Sequence, residues 1–118
     1  MRNDGRLSFG GWSGNTRIIT TTAAYNNGVW HHLVVTARPT GGSPNYEQST
    51  IYVDGASVVS STSSPVTAYT GWWRVGYGSL ASGSNYPSSA DFAGSIDNVA
   101  VYNTELSAAR VTAHYGAR

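Results

Sequence analysis

Residues 50–60 read Thr50-Ile51-Tyr52-Val53-Asp54-Gly55-Ala56-Ser57-Val58-Val59-Ser60. β-Branched and aromatic residues fill the first arm, Val58 and Val59 stand in the second, and Asp54-Gly55 lies between them. A two-residue connection of this type is the strongest short-range hairpin signal, because both residues must take positive φ for the turn to follow the twist of the strands. The spacing predicts an antiparallel pair with Val53 opposite Ala56 and Ile51 opposite Val58. A single hairpin is marginal in water, so further strands must complete a sheet.

Such strands lie on both sides of the hairpin. Arg6 to Gly10 alternates, and Thr16 to Thr22 is β-branched. Val29 to Arg38 (VWHHLVVTAR) is the longest apolar run and reads as the central strand. Trp72 to Gly78 and Phe92 to Tyr102 supply two more. Pro39 to Pro44 and Ser79 to Ser89 are loops by their Gly, Pro, Ser and Asn content. One short helix follows, with Thr104 or Ser107 as its N-cap, Gly116 at its stop, and Leu106, Val111 and Tyr115 as its buried stripe. Two or three turns are too few to stand alone, so the helix must dock on the sheets.

Composition agrees with an all-β chain. The 118 residues are one domain's worth. Leu, Ile, Val and Phe number only 21, but four Trp and eight Tyr supply large apolar area in their place. The formal charge is +1, from seven Arg and six acids with no Lys, which argues against nucleic acid as a partner. No apolar run approaches a membrane span, and no signal peptide opens the chain. The absence of Cys removes disulfides, thiol catalysis and Cys-based zinc sites together.

Four pieces, in order, resemble the laminin-G-like, concanavalin A-like jelly-roll family. They are Asn26-Asn27-Gly28-Val29-Trp30-His31-His32-Leu33-Val34-Val35-Thr36, Ile51-Tyr52-Val53-Asp54-Gly55, Trp73-Arg74-Val75-Gly76, and Phe92-Ala93-Gly94-Ser95-Ile96-Asp97-Asn98-Val99-Ala100-Val101-Tyr102-Asn103 followed by Glu105-Leu106-Ser107. The resemblance covers roughly residues 5 to 115. It implies an antiparallel β-sandwich of jelly-roll type with one short C-terminal helix, a single domain over 1–118. It also implies that the chain corresponds to the C-terminal part of such a domain and lacks the family's N-terminal strands. A sandwich without them would expose apolar face and open edges, so we expect a homo-oligomer in which other copies complete the sheets.

Little in the sequence points to catalysis. A glycosidase needs two carboxyls flanking the scissile bond, and the chain has only Glu47 and Glu105 as glutamates. Asp91 and Asp97 are the one pair that could share a face. His31 and His32 are strand neighbours and point to opposite sides, so they cannot chelate one ion together; one is expected inward with its nitrogens bonded and one outward. No Gly-x-Ser-x-Gly elbow and no phosphate loop occurs. Asp97 shares its face with Val99 and Val101 and is expected to be satisfied by Arg74 or by main-chain N–H groups.

The expected function is therefore a non-catalytic binding module of a secreted or surface protein that recognises carbohydrate or another extracellular polymer. Aromatic rings stack on sugars, and Trp72 is the best candidate for an exposed platform, with Arg74, Tyr69 and Trp12 beside it as ligand-binding candidates. Trp73 and Trp30 are assigned to the core. No cofactor is required. Resembling domains often hold calcium, for which Asp91 and Asn85 are the candidate donors. The alternatives are a structural, self-assembling sandwich element and, third, a glycoside hydrolase.

Overall fold

A computed structural model describes residues 1–10, 17–41, 46–63, 70–78 and 88–118 of the chain. Five strands form two antiparallel sheets. Strands β1 (Arg6–Phe9) and β2 (Ile19–Ala24) make the smaller one. Strands β3 (Leu33–Pro39), β4 (Glu47–Val53) and β5 (Ala56–Ser63) make the larger, in the order β3-β4-β5. Helix α1 spans Ala108–Gly116. This is the antiparallel sandwich with one short C-terminal helix that the family resemblance implies.

The Asp54-Gly55 turn forms as expected, with φ of 52° and 80°, and Val53 pairs with Ala56. The register then slips. Tyr52 pairs with Ser57 and Ile51 with Val59, not with Val58. Val58 is the extra residue of a β-bulge, which the two-residue period could not show. The bulge lets both Val58 and Val59 pack against the core of Ile19, Ile51 and Val53, together with Leu7, Phe9 and Tyr25.

The central strand is β4, not the apolar Val29–Arg38 run. Its hydroxyls are paired across strands, which is how a strand this polar sits mid-sheet. Ser49 Oγ and Ser63 Oγ lie 2.7 Å apart, both fully buried. Between β1 and β2 a register shift near Leu7 is filled by a side chain. Thr21 Oγ1 accepts from the Leu7 amide at 3.1 Å and donates to the Ala23 carbonyl at 2.8 Å.

Among the described residues, strand β3 is an edge. Leu33 and Val35 stand beside Val53 and Ile51 on the same face, yet they are 49% and 36% exposed while their partners are buried. The second layer covers β4 and β5 and stops short of β3. Trp30 is 63% exposed, outside the core to which the residue pattern assigns it.

Residues 72–78 and 92–102 do not form the two strands that their alternation predicts. Among the described residues they meet in one bridge, Tyr77 to Asp91, with the Phe92 amide donating to the Gly76 carbonyl at 2.8 Å. Asn98 takes φ of 52°, which interrupts an extended strand in the middle of the second segment. Trp73 is 83% exposed, so it is not a core residue. Asp97 is exposed too, and its Oδ1 accepts from the Asn98 amide at 2.7 Å.

The helix caps and docks as its residues dictate. Ser107 is the N-cap, its hydroxyl accepting from the Arg110 amide at 3.3 Å. Val111 is fully buried, and Leu106 and Tyr115 are half-buried. Thr112 Oγ1 donates to the Gly55 carbonyl at 3.2 Å, tying the helix to the hairpin turn.

Candidate functional site

The period of two along β4 sends Ser49, Ile51 and Val53 to the core and Gln48, Thr50 and Tyr52 to the opposite face. On that face Arg38 of β3 lies beside Gln48, and Ser60 of β5 lies beside Thr50. The segment Glu105-Leu106-Ser107-Ala108 stands at one side of a shallow, open cleft of about 440 Å³ over these residues. That size is in the range that holds a small ligand or a short stretch of polymer.

The cleft is polar and its polar groups are already ordered. Gln48 Nε2 donates to Ser60 Oγ at 3.0 Å, and Thr50 Oγ1 lies 2.8 Å from the same oxygen. Tyr52, largely buried, floors the cleft. At the rim Arg38 Nε and Glu105 Oε2 stand 3.8 Å apart, both side chains substantially exposed. That distance is too long for a hydrogen bond, and such a pair contributes little. The guanidinium and the carboxylate can therefore turn toward a ligand. Amide, hydroxyl, guanidinium and carboxylate groups together offer both donors and acceptors to a polar ligand.

None of the cleft residues is among the sequence candidates. Trp72 and Arg74 lie elsewhere, and Trp72 is 90% exposed. Arg74 reaches over the Tyr77 ring, 5.9 Å from its centroid. Trp12, Tyr69 and Asn85 lie outside the described residues. Asp91 is exposed, and its amide donates to Ser89 Oγ at 3.1 Å. Among the described residues no three of His, Asp and Glu gather where they could hold a metal ion. The signal that could have found the cleft is the polar row Gln48-Thr50-Tyr52, read as a face of its own.

A second cluster sits at the hairpin turn. His31 Nδ1 lies 2.7 Å from Asp54 Oδ2, and the His32 amide donates to Asp54 Oδ1 at 2.9 Å. His31 Nε2 lies 3.0 Å from Asn27 Oδ1, and the Tyr25 ring meets the imidazole edge-on. The expected split into one inward and one outward His is not found: both are half-buried, and the His32 ring lies against Tyr115. A His–Asp pair invites comparison with a catalytic dyad, but its distal nitrogen faces an amide oxygen and not a nucleophile. Asp54 clamps the turn to the start of β3.

Burial pushes the Asp54 carboxyl up, but the hydrogen bonds from His31 and the His32 amide, with the charges of His31 and Arg118, hold it below its usual 3.8. A carboxyl lowered by folding contributes stability above its unfolded value and loses it as pH falls through the folded value. Asp54→Asn keeps a residue that tolerates positive φ and removes the charge. The variant is expected to be less stable at neutral pH and to show a flatter loss of stability in acid, read from urea midpoints across the carboxylate range.

Comparison with known proteins agrees with this architecture. The laminin G model of the concanavalin A-like lectin/glucanases superfamily matches residues 1–112. A crystal structure of residues 221–444 of an S-layer domain-containing protein from Clostridium thermocellum is similar, with a TM-score of 0.62 and 25% identity. The match covers 84% of this chain and 45% of that one, so the chain spans under half the length of that structure. No curated protein matches the chain. With its two antiparallel layers, its docked C-terminal helix and a family match over nearly its whole length, the chain belongs to the laminin G-like, concanavalin A-like superfamily.

Proposed function

We propose that this chain is a non-catalytic binding module of a secreted or surface protein, and that it takes a carbohydrate chain along the cleft of Arg38, Gln48, Thr50, Ser60 and Glu105. The observation that carries this reading is the ordered row of hydroxyl and amide groups on the outer face of β4, flanked by a loosely held ion pair. Laminin G-like domains are commonly non-catalytic, and the S-layer domain neighbour supports a place at the cell surface. Trp72 is a second, separate stacking platform in this reading, with Arg74 beside it. The reading requires no cofactor; calcium at Asp91 and Asn85 would be an addition to it.

The test is affinity electrophoresis through gels containing soluble polysaccharides, with and without a calcium chelator. Combined Arg38→Ala and Gln48→Ala changes are expected to weaken the retarding glycan about tenfold, the scale of one or two lost polar contacts. If Trp72→Ala abolishes retardation and the double variant does not, Trp72 is the site and the cleft is not. If no glycan retards the chain, carbohydrate recognition is wrong.

A second reading is a self-assembling element. The edge of β3 and the uncovered Leu33 and Val35 favour it, because an open strand with bare apolar neighbours invites a second copy. Light scattering on the same samples decides: an oligomer lost in Val35→Lys supports assembly through β3, and a monomer removes it.

A further inference from the structure

Asn27 precedes Gly28 in the turn that leads into β3, and two donors converge on its side-chain oxygen. The Val29 amide donates to Asn27 Oδ1 at 3.3 Å, and His31 Nε2 lies 3.0 Å from the same atom. The other ring nitrogen of His31 is held by Asp54 at 2.7 Å, which fixes the ring. Both ring nitrogens therefore face oxygen atoms, Asp54 Oδ2 on one side and Asn27 Oδ1 on the other. Gly28 sits at φ of 81°, and both Asn27 and Gly28 are exposed to solvent.

We infer that Asn27-Gly28 is a self-modification site, at which the fold promotes deamidation of Asn27 through His31. The Gly28 backbone nitrogen attacks Asn27 Cγ and gives up its proton to solvent. Charge develops on Oδ1, where the Val29 amide and His31 Nε2 already point, as donors aimed at a developing oxyanion do. The Nδ2 amine then takes up a proton from solvent, the bond from Cγ to Nδ2 breaks, and the nitrogen leaves as ammonia. The five-membered imide is opened by a solvent water at either carbonyl, giving aspartate or isoaspartate at position 27. No electrons are exchanged and water is the only co-reactant. Glycine is the residue that makes the attack accessible, since any side chain at 28 would crowd the ring closure and resist the positive φ. His31 is a positioning residue for this step, and Asp54 acts through it. The product carboxylate would face His31 directly and add a charge to the turn.

The experiment incubates the folded chain and a synthetic peptide of residues 24–32 in the same neutral buffer. The conversion at position 27 is followed by peptide mapping, with isoaspartate resolved by retention time. The folded chain is expected to convert severalfold faster than the peptide, and His31→Phe is expected to bring it down to the peptide's rate. A folded chain that converts no faster than the peptide overturns the inference, because the two hydrogen bonds then only hold Asn27 in place. A folded His31→Phe variant that converts as fast as the parent also overturns it. Should that variant fail to fold, shown by circular dichroism, the comparison of parent chain with peptide decides alone.

Discussion

Ile51→Ala is expected to destabilise the fold by about 2–5 kcal/mol, the cost of emptying a large aliphatic site that cannot fully collapse. Ile51 is 1% exposed and lies where the two layers meet, with Ile19 and Val53 in the same cluster. The core around it is small. Its other members are partly exposed, and the remaining fully buried side chains include Thr21, Ser49 and Ser63, whose polar atoms contribute little hydrophobic gain. A domain of this size holds about 5–15 kcal/mol in total, so the substitution removes a large share. Urea unfolding followed by tryptophan fluorescence measures it. A midpoint shift with an unchanged slope is expected, and a loss below 1 kcal/mol would mean that the Ile19 cluster is not the main core.

Gly55→Ala is expected to be the next most damaging change, through two effects that add. The residue sits at φ of 80°, where a side chain costs about 1–2 kcal/mol. Its Cβ would also stand 3.1 Å from Tyr115 Cβ and from the ring carbon Cδ1. Tyr115 Cβ is fixed to the helix backbone, so α1 must move to make room. That movement stretches the Thr112 contact to the Gly55 carbonyl. The helix should therefore loosen before the sheet does, seen as lost helical dichroism and faster amide exchange at Val111 with β4 still protected. A Gly55→Ala chain whose helix exchanges as slowly as the parent's would contradict this docking.

The parts legible in the sequence are those set by local stereochemistry. Asp54-Gly55 fixes a turn, Ser107 fixes a cap, and Val111 marks the buried side of the helix. Identity of the central strand was not legible. Val29 to Arg38 looks central because it is apolar, but apolarity also marks a strand whose cover is thin. Glu47 to Val53 looks peripheral because it is polar, but its hydroxyls find partners across the sheet. The exposure of Trp73 and Trp30 is likewise not legible, since alternation assigns a residue to a face and says nothing about what lies opposite that face. Asn98 shows the same limit: its positive φ breaks a run whose pattern is otherwise continuous.

The candidate site was the less legible half. Its residues come from β3, β4, β5 and the approach to the helix, which are far apart in the chain. No one of them is chemically unusual. Attention goes naturally to tryptophans and paired histidines, because those types are rare. The cleft is built instead from Gln48, Thr50 and Ser60, residue types that the chain uses throughout. Only the register between β4 and β5 reveals that they form one surface.

The β3-β4-β5 meander also has a consequence for the order of folding. Its strands follow one another in the chain, so its pairings close short loops and cost little entropy before they are rewarded. The contact between β2 and β5 joins residues much farther apart. The meander is thus the natural early structure, with the Asp54-Gly55 turn as its seed, and the small sheet settles on it afterwards. A chain emerging from its N-terminus would hold β1 and β2 unsatisfied until β5 has been made.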